Sequence, residues 1–246
     1  MARYDVAHFN LQFSMTLAIM QPYFFPYIGY FQLINAVDKF VVYDDVNFIN
    51  KGWINRNNIL VGGKANLFTI PLKGASQNLL IREIELENIE GFSKKFVKTI
   101  EQSYKKAPFF NNGFEIVERV FNSFGGNIGE LATKSLTETC DYLGLKTEIV
   151  PSSVIYQNQH LKAQERILDI CLQEKTAHYI NPIGGLELYN KELFAQNGIL
   201  LNFIKSKRVE YTQFKNEFVP WLSMIDILMF CSKDQIHGFL NEYELV

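Results

Sequence analysis

Apolar residues along this chain fall either in short unbroken runs or at three- to four-residue steps, and that alternation predicts mixed strands and helices. Leu17-Ala18-Ile19-Met20 is a run of the length and composition of a buried strand. Pro22 and Pro26 follow, so the chain turns there, because proline cannot donate to a ladder. Tyr27, Phe31, Ile34 and Val37 recur at helical steps, and Asp38 ends the pattern. Phe40-Val41-Val42-Tyr43 is a second buried strand, closed by Asp44-Asp45. Strand, helix and strand within about thirty residues make one βαβ unit. Ligands of parallel sheets sit at the carboxyl ends of the strands. Gln21 and Asp44-Asp45 are therefore expected on one sheet edge.

The following stretch reads differently. Residues 46–49 are a short extended piece, and Asn50-Lys51-Gly52 turns it. Two apolar strands, 59–61 and 66–72, flank Gly62-Gly63-Lys64 and predict a hairpin. Residues 81–86 alternate with period two, the mark of a half-exposed strand. Helical spacing then dominates over 92–104, 110–124 and 128–143, with Gly144 as a C-cap. Residues 147–150 predict a strand, 163–173 a helix, 178–180 a strand, 186–197 a helix and 199–204 a strand. One or two short helices finish the chain. The resumed alternation implies a three-layer α/β fold with a mainly parallel, Rossmann-like sheet. It carries a hairpin insertion at 46–86 and a helical segment at 91–144. Residues 15–246 are read as one domain. Residues 1–14 are read as a leader outside the fold, with Met15 as the natural start; they lack the apolar stretch of a signal peptide.

Composition narrows the class. At 246 residues and 48% hydrophobic content the chain can bury a large core. A net charge of -2 gives no sign of a basic nucleic-acid surface. The three cysteines, Cys140, Cys171 and Cys231, are too scattered for a metal motif or a disulfide framework, which points to a reducing cytoplasm and no disulfide partner. No apolar run approaches the roughly 18 residues of a membrane span.

Several clusters can carry chemistry. Asp44 and Asp45 at a strand end suit a bound Mg²⁺, a substrate hydroxyl or amine, or a general base, against the plainer reading of a solvated turn. Trp53, Asn55 and Arg56 combine a stacking face, an amide and a planar fork for phosphate. The alternative is a packed Trp among surface polar groups. His160, in a polar loop, is a catalytic candidate beside the commoner role of a surface histidine. Asn181-Pro182-Ile183-Gly184-Gly185 is a strand-to-helix turn whose glycines let backbone N–H groups approach an anion. Ser223 and Asp226 read as a helix cap rather than a nucleophile pair, since Gly-x-Ser-x-Gly is absent. No cluster reads as a dedicated metal site.

At Gln21-Pro22-Tyr23, Pro26, Gly29-Tyr30, Asp38, Asp44-Asp45 and Asn55-Arg56 the chain resembles the WbqC-like family. The resemblance continues through residues 104–110, Arg166-Ile167-Leu168, Tyr179-Ile180, Gly184-Gly185, Tyr189 and Phe218-x-Pro220-x-Leu222-Ser223-x-x-Asp226. It departs at Met229-Phe230-Cys231-Ser232, where the family often continues into Asn-Gly. The resemblance implies a place in bacterial O-antigen (surface polysaccharide) synthesis and transfer of glycine or a similar acyl unit to an amino sugar. A remoter likeness, to HIGH-type nucleotidyltransferases, would align their signature with Tyr27-Ile28-Gly29-Tyr30, which lacks both histidines.

The leading expectation is an acyl- or aminoacyl-transferase acting on a nucleotide-linked amino sugar. The donor is left open among glycine, aminoacyl-tRNA and a thioester. Asp44 or Asp45 would serve the amine, Arg56 a phosphate, Trp53 or Tyr23 a ring, and Gly184-Gly185 an anion. His160 is a further catalytic candidate. Gln21, Pro22, Tyr30, Asn55, Asn181, Tyr189, Ser223 and Asp226 join the binding set. The alternatives are an adenylate-forming or nucleotidyl-transfer enzyme using ATP with Mg²⁺, and an inert sugar-nucleotide-binding protein.

Overall fold

The computed structural model describes residues 15–122, 125–215 and 217–246. The expectation for residues 1–14 lies outside them. Five parallel strands form the centre: β1 (Thr16–Met20), β2 (Lys39–Val42), β7 (Glu148–Val150), β8 (His178–Pro182) and β9 (Leu200–Ser206). β10 (Tyr243–Leu245) adds an antiparallel edge, giving the order β10-β9-β8-β1-β2-β7. Met20 lies opposite Val42, so the first two strands end side by side.

The period-two rule divides the core between the two faces of this sheet. Ala18, Phe40, Val42, Ile180 and Ile204 point to one face. There they meet α1 (Ile28–Asn35), α2 (Ile89–Tyr104), α3 (Phe110–Asn122), α4 (Ile128–Leu143), α7 (Met224–Phe230) and α8 (Lys233–Phe239). Leu17, Ile19, Val41, Tyr179 and Phe203 point to the other face, against α5 (Ala163–Gln173) and α6 (Lys191–Gln196). This is the three-layer α/β arrangement with a mainly parallel sheet.

The hairpin forms between β3 (Arg56–Val61) and β4 (Lys64–Thr69). Its two-residue turn needs left-handed backbone at both positions, and Gly62 (φ 58) and Gly63 (φ 78) supply it. α4 and α5 run over the expected residues, and Gly144 closes α4 at φ 73.

Three elements differ from expectation. Residues 81–86 are not one strand. A 3₁₀ turn, Ile81–Glu83, precedes a two-residue strand β6 (Glu85–Leu86), paired with β5 (Leu72–Lys73). Ile81 and Ile84 are both buried, and a spacing of three suits a 3₁₀ turn as well as alternation suits a strand. The helix expected over 186–197 shrinks to α6, which starts where Asn190 accepts a hydrogen bond from the Leu193 N–H. Residues 186–190 have no sustained apolar face; Leu186 and Leu188 are exposed. β10 was not foreseen. Its hydrogen bonds go to β9, about forty residues away in sequence, which local pattern cannot register.

Candidate functional site

β1 and β8 are neighbours in the sheet, but α1 after β1 and α6 after β8 pack on opposite faces. The chain therefore parts at this point, the topological switch where open α/β sheets hold ligands. A cavity of about 570 Å³ opens there. Met20 at the end of β1 and Gln21, Pro22 and Tyr23 after it line the cavity, with Pro182 at the end of β8, Ile183 and Gly184 after it, and Ile204, Lys205 and Ser206 at the end of β9. Tyr27, Gly29, Tyr30 and Leu33 of the α1 region, Ile49, Gly52, Trp53 and Ile54 of the loop before β3, and Trp221 complete the wall. The size is that of a small-molecule site.

Aromatic rings shape the interior. Tyr23 lies 6.3 Å from Trp53, and Tyr27 lies 6.0 Å from Trp221. Tyr30 stands edge-on to Tyr23, and its hydroxyl donates to the Gln21 carbonyl at 2.7 Å. Burial raises the phenol pKa of Tyr23, Tyr27 and Tyr30 above the ordinary tyrosine value, so each is a proton-bearing hydroxyl at neutral pH. The Ser206 side chain lies beside the Tyr27 ring and lowers the phenol pKa against the effect of burial. Gly29 permits this approach: a Cβ there would fall 2.3 Å from both the Ser206 Oγ and the Tyr27 ring. Lys205 is the charged residue of the lining, and none of the lining residues is acidic.

Of the expected site residues, the fold thus gathers Gln21, Pro22, Tyr23, Tyr30, Trp53 and Gly184. Arg56 is not in the lining but borders it, with its guanidinium 5.3 Å from the Trp53 indole centre, its charge acting on Tyr23, and a hydrogen bond to the Lys51 carbonyl. Asn55 is buried and donates to the Ile70 carbonyl at 2.8 Å, bracing the hairpin base. The expectation that Asp44, Asn55 and Arg56 share one cleft with Gln21, Tyr23 and Gly184 is therefore not met by the lining.

Asp44 and Asp45 turn toward β7 and α5 instead. The Asp44 Oδ1 accepts from the Ser152 hydroxyl at 2.8 Å and the Ser153 N–H at 3.1 Å. Asp44 borders a separate polar cavity of about 600 Å³ with Arg82, Thr133, Lys134 and Ser152. Burial raises its pKa, against the lowering effect of those hydrogen bonds. Asp45 is buried, and its Oδ2 accepts from Arg166 at 2.5 Å and Gln159 at 2.9 Å. Its Oδ1 accepts from the Ser153 hydroxyl. Both oxygens of Asp45 are thus engaged by protein, so the pair does not present a shared chelate for Mg²⁺. Among the described residues no cluster of three metal-ligating side chains occurs.

The remaining candidates lie elsewhere. Asn181 is buried against Gly185, where a Cβ would meet its Nδ2 at 1.9 Å. Tyr189 packs edge-on to Tyr179 at 6.0 Å on the opposite face of the sheet. His160 is exposed in a turn. Ser223 caps α7 through the Ile225 N–H and donates to the Phe25 carbonyl at 2.7 Å. Asp226 does not complete a capping box. It points inward and accepts from Tyr104 (2.9 Å), Tyr211 (2.7 Å) and Gln213 (2.7 Å). Cys140, Cys171 and Cys231 are free, buried thiols. No helix among the described residues is long and apolar enough to cross a membrane. Tyr27, Gly29, Lys205, Ser206 and Trp221 were not foreseen as lining. Gly29, a lone glycine inside a helical pattern, was the one local signal of close packing.

Fold and cavity together define a Rossmann-like α/β protein with an aromatic-lined cavity at the switch point. The chain belongs to the WbqC-like protein family, whose sequence model matches residues 21–238. It is similar to a Mycobacterium tuberculosis (strain ATCC 25618 / H37Rv) protein named uncharacterized protein Rv1507c, with 26% identity over 215 residues, 86% of this chain and 92% of that relative. No solved structure gives a significant match.

Proposed function

We propose that this protein is a transferase that moves an acyl or aminoacyl group onto the amine of a phosphate-linked amino sugar, in surface-polysaccharide synthesis. The observation that carries this reading is the cavity at the sheet switch point. Tyr23 and Trp53 form one aromatic wall, Tyr27 and Trp221 another, and Lys205 lies on the lining. Aromatic faces suit the apolar side of a sugar or base ring, and a lysine suits the phosphate of a carrier.

In the proposed step the neutral sugar amine attacks the activated carbonyl. A C–N bond forms, the donor's leaving group departs, and the ammonium proton is released. The Gly184 backbone is the proposed donor to the oxyanion. No carboxylate lines this cavity, and Asp44 borders a separate one, so the proton is proposed to leave through the open mouth to solvent.

A thermal-shift and calorimetric titration with UDP- and dTDP-linked amino sugars tests the site. Saturable binding supports the reading, and its absence for both removes the nucleotide-linked form. A second reading, carboxylate activation by ATP, draws on the first turn of α1, where Tyr27 makes no side-chain cap and Gly29 faces the cavity. ATP with Mg²⁺ in the same titration separates the two. Binding of the sugar nucleotide without turnover would support an inert binding protein.

A further inference from the structure

The mouth of the cavity is more apolar than a nucleotide-linked sugar requires. Ile49, Trp53, Ile183 and Trp221 all line it, and they remain 52%, 50%, 39% and 54% exposed. They come from three separate parts of the chain: the loop before β3, the turn after β8 and the segment before α7. Fold packing holds large apolar side chains from all three in water around one opening. Scattered exposed hydrophobics need no explanation, but a contiguous set rimming a cavity marks a binding surface.

The polar side of the ledger is short. A nucleoside diphosphate brings two phosphates, a ribose and a base edge, and a buried polar group without a partner is strongly unfavourable. The lining offers Lys205 as its one charge. The Tyr30 hydroxyl is committed to the Gln21 carbonyl and Ser206 lies against Tyr27, which leaves little beyond the Tyr23 hydroxyl and the Gln21 amide. That inventory matches one anionic head joined to a large apolar body.

We infer that the carrier of the substrate is a lipid phosphate: the anionic head sits at Lys205, and its hydrocarbon chain lies across Ile49, Trp53, Ile183 and Trp221. The inference rests on the reading of this cavity as the substrate site, and names the chemical class that it takes. Lys205, exposed at the end of β9 and opposite Glu244 of β10, supplies the charge complementarity at the mouth, and none of the lining residues themselves is acidic.

The chain has two tryptophans, Trp53 and Trp221, and both stand at this mouth, so intrinsic fluorescence reports on it directly. The probes are hexyl, octyl and decyl phosphate, each below its micelle concentration, with inorganic phosphate as control. Emission should shift to the blue and saturate. Affinity should rise about three- to fourfold for each methylene that reaches the rim. Ile183→Asp should weaken decyl phosphate at least tenfold and leave melting unchanged, since the side chain is exposed. Lys205→Glu should weaken all three chains by a similar factor.

Affinity that does not grow with chain length, or no saturable shift, overturns the inference. Binding to phosphatidylglycerol vesicles without binding of the monomeric phosphates also overturns it, in favour of membrane docking. A UDP-linked amino sugar is titrated separately. If it binds and the alkyl phosphates do not, the inference fails and the cavity reading stands. If neither binds, both fail.

Discussion

The Nη2 of Arg166 lies 2.5 Å from the Oδ2 of Asp45, with side chains 5% and 1% exposed. The pair ties the end of β2 to α5 across the sheet edge. Arg166 also donates to the Asp45 carbonyl at 3.2 Å and to the Asn158 side chain at 2.9 Å. Its guanidinium lies 4.9 Å from the Tyr43 ring centre. An acid read as a candidate for chemistry is thus embedded in a structural lock. Removing one partner leaves a buried charge uncompensated, which destabilises by about 3–5 kcal/mol. Asp45→Ala should lower stability by that amount in urea denaturation. Replacing Asp45 with Leu and Arg166 with Met together should recover most of it. A loss below 1 kcal/mol for the single variant would remove the lock.

Asp226 gives the fold a pH dependence. Burial raises its pKa from 3.8 to about 6, against the opposing hydrogen bonds from Tyr211, Gln213 and Tyr104. The folded value lies above the unfolded one, so the folded state holds the proton more tightly. The associated stability is complete below the unfolded pKa and is lost as pH rises through about 6. Asp226→Asn should flatten the change in melting temperature between pH 4 and 7 relative to the parent. Identical slopes for the two proteins would exclude the assignment.

Gly29→Ala should act against helix propensity. In an open helix the change stabilises by up to about 1 kcal/mol. Here the new methyl would meet Ser206 and the Tyr27 ring at 2.3 Å, so α1 or the end of β9 must move. Overpacking of this kind destabilises by about 1–3 kcal/mol. Melting curves should show the loss, and ligand binding should weaken with it because both displaced groups line the cavity.

Arg56 acts on the cavity through the Trp53 loop. Arg56→Ala removes the guanidinium from the indole face and its hydrogen bond to the Lys51 carbonyl. Stability should fall by about 1 kcal/mol, and the fluorescence spectrum should change with Trp53 released. Arg56→Lys keeps the charge without the planar stack, so it should recover only part of both signals. An unchanged spectrum would separate Arg56 from the Trp53 loop.

Local pattern determined much of this protein. The runs at 17–20 and 40–43 and the helical spacing between them specify the first βαβ unit. Gly62-Gly63 specifies the hairpin turn, and Gly144 the end of α4. These features depend on neighbours within a few residues, where side-chain direction and backbone freedom act directly. The Gln21-Pro22-Tyr23 motif likewise placed one wall of the cavity, because its position just after a strand puts it on the sheet edge.

Tertiary structure alone decided the rest. Asp44 and Asp45 end a strand in the way a catalytic pair can, but partners more than one hundred residues away, Ser152, Ser153 and Arg166, determine where they point. Tyr27, Ser206 and Trp221 meet at one cavity only because β9 and the segment before α7 return beside α1. β10 exists only as a partner for β9. The sequence by itself determined most of the elements and the sheet edge at which the cavity opens. Which side chains share a cavity follows from strand order and crossover, contacts formed between residues far apart in the chain and invisible to periodicity.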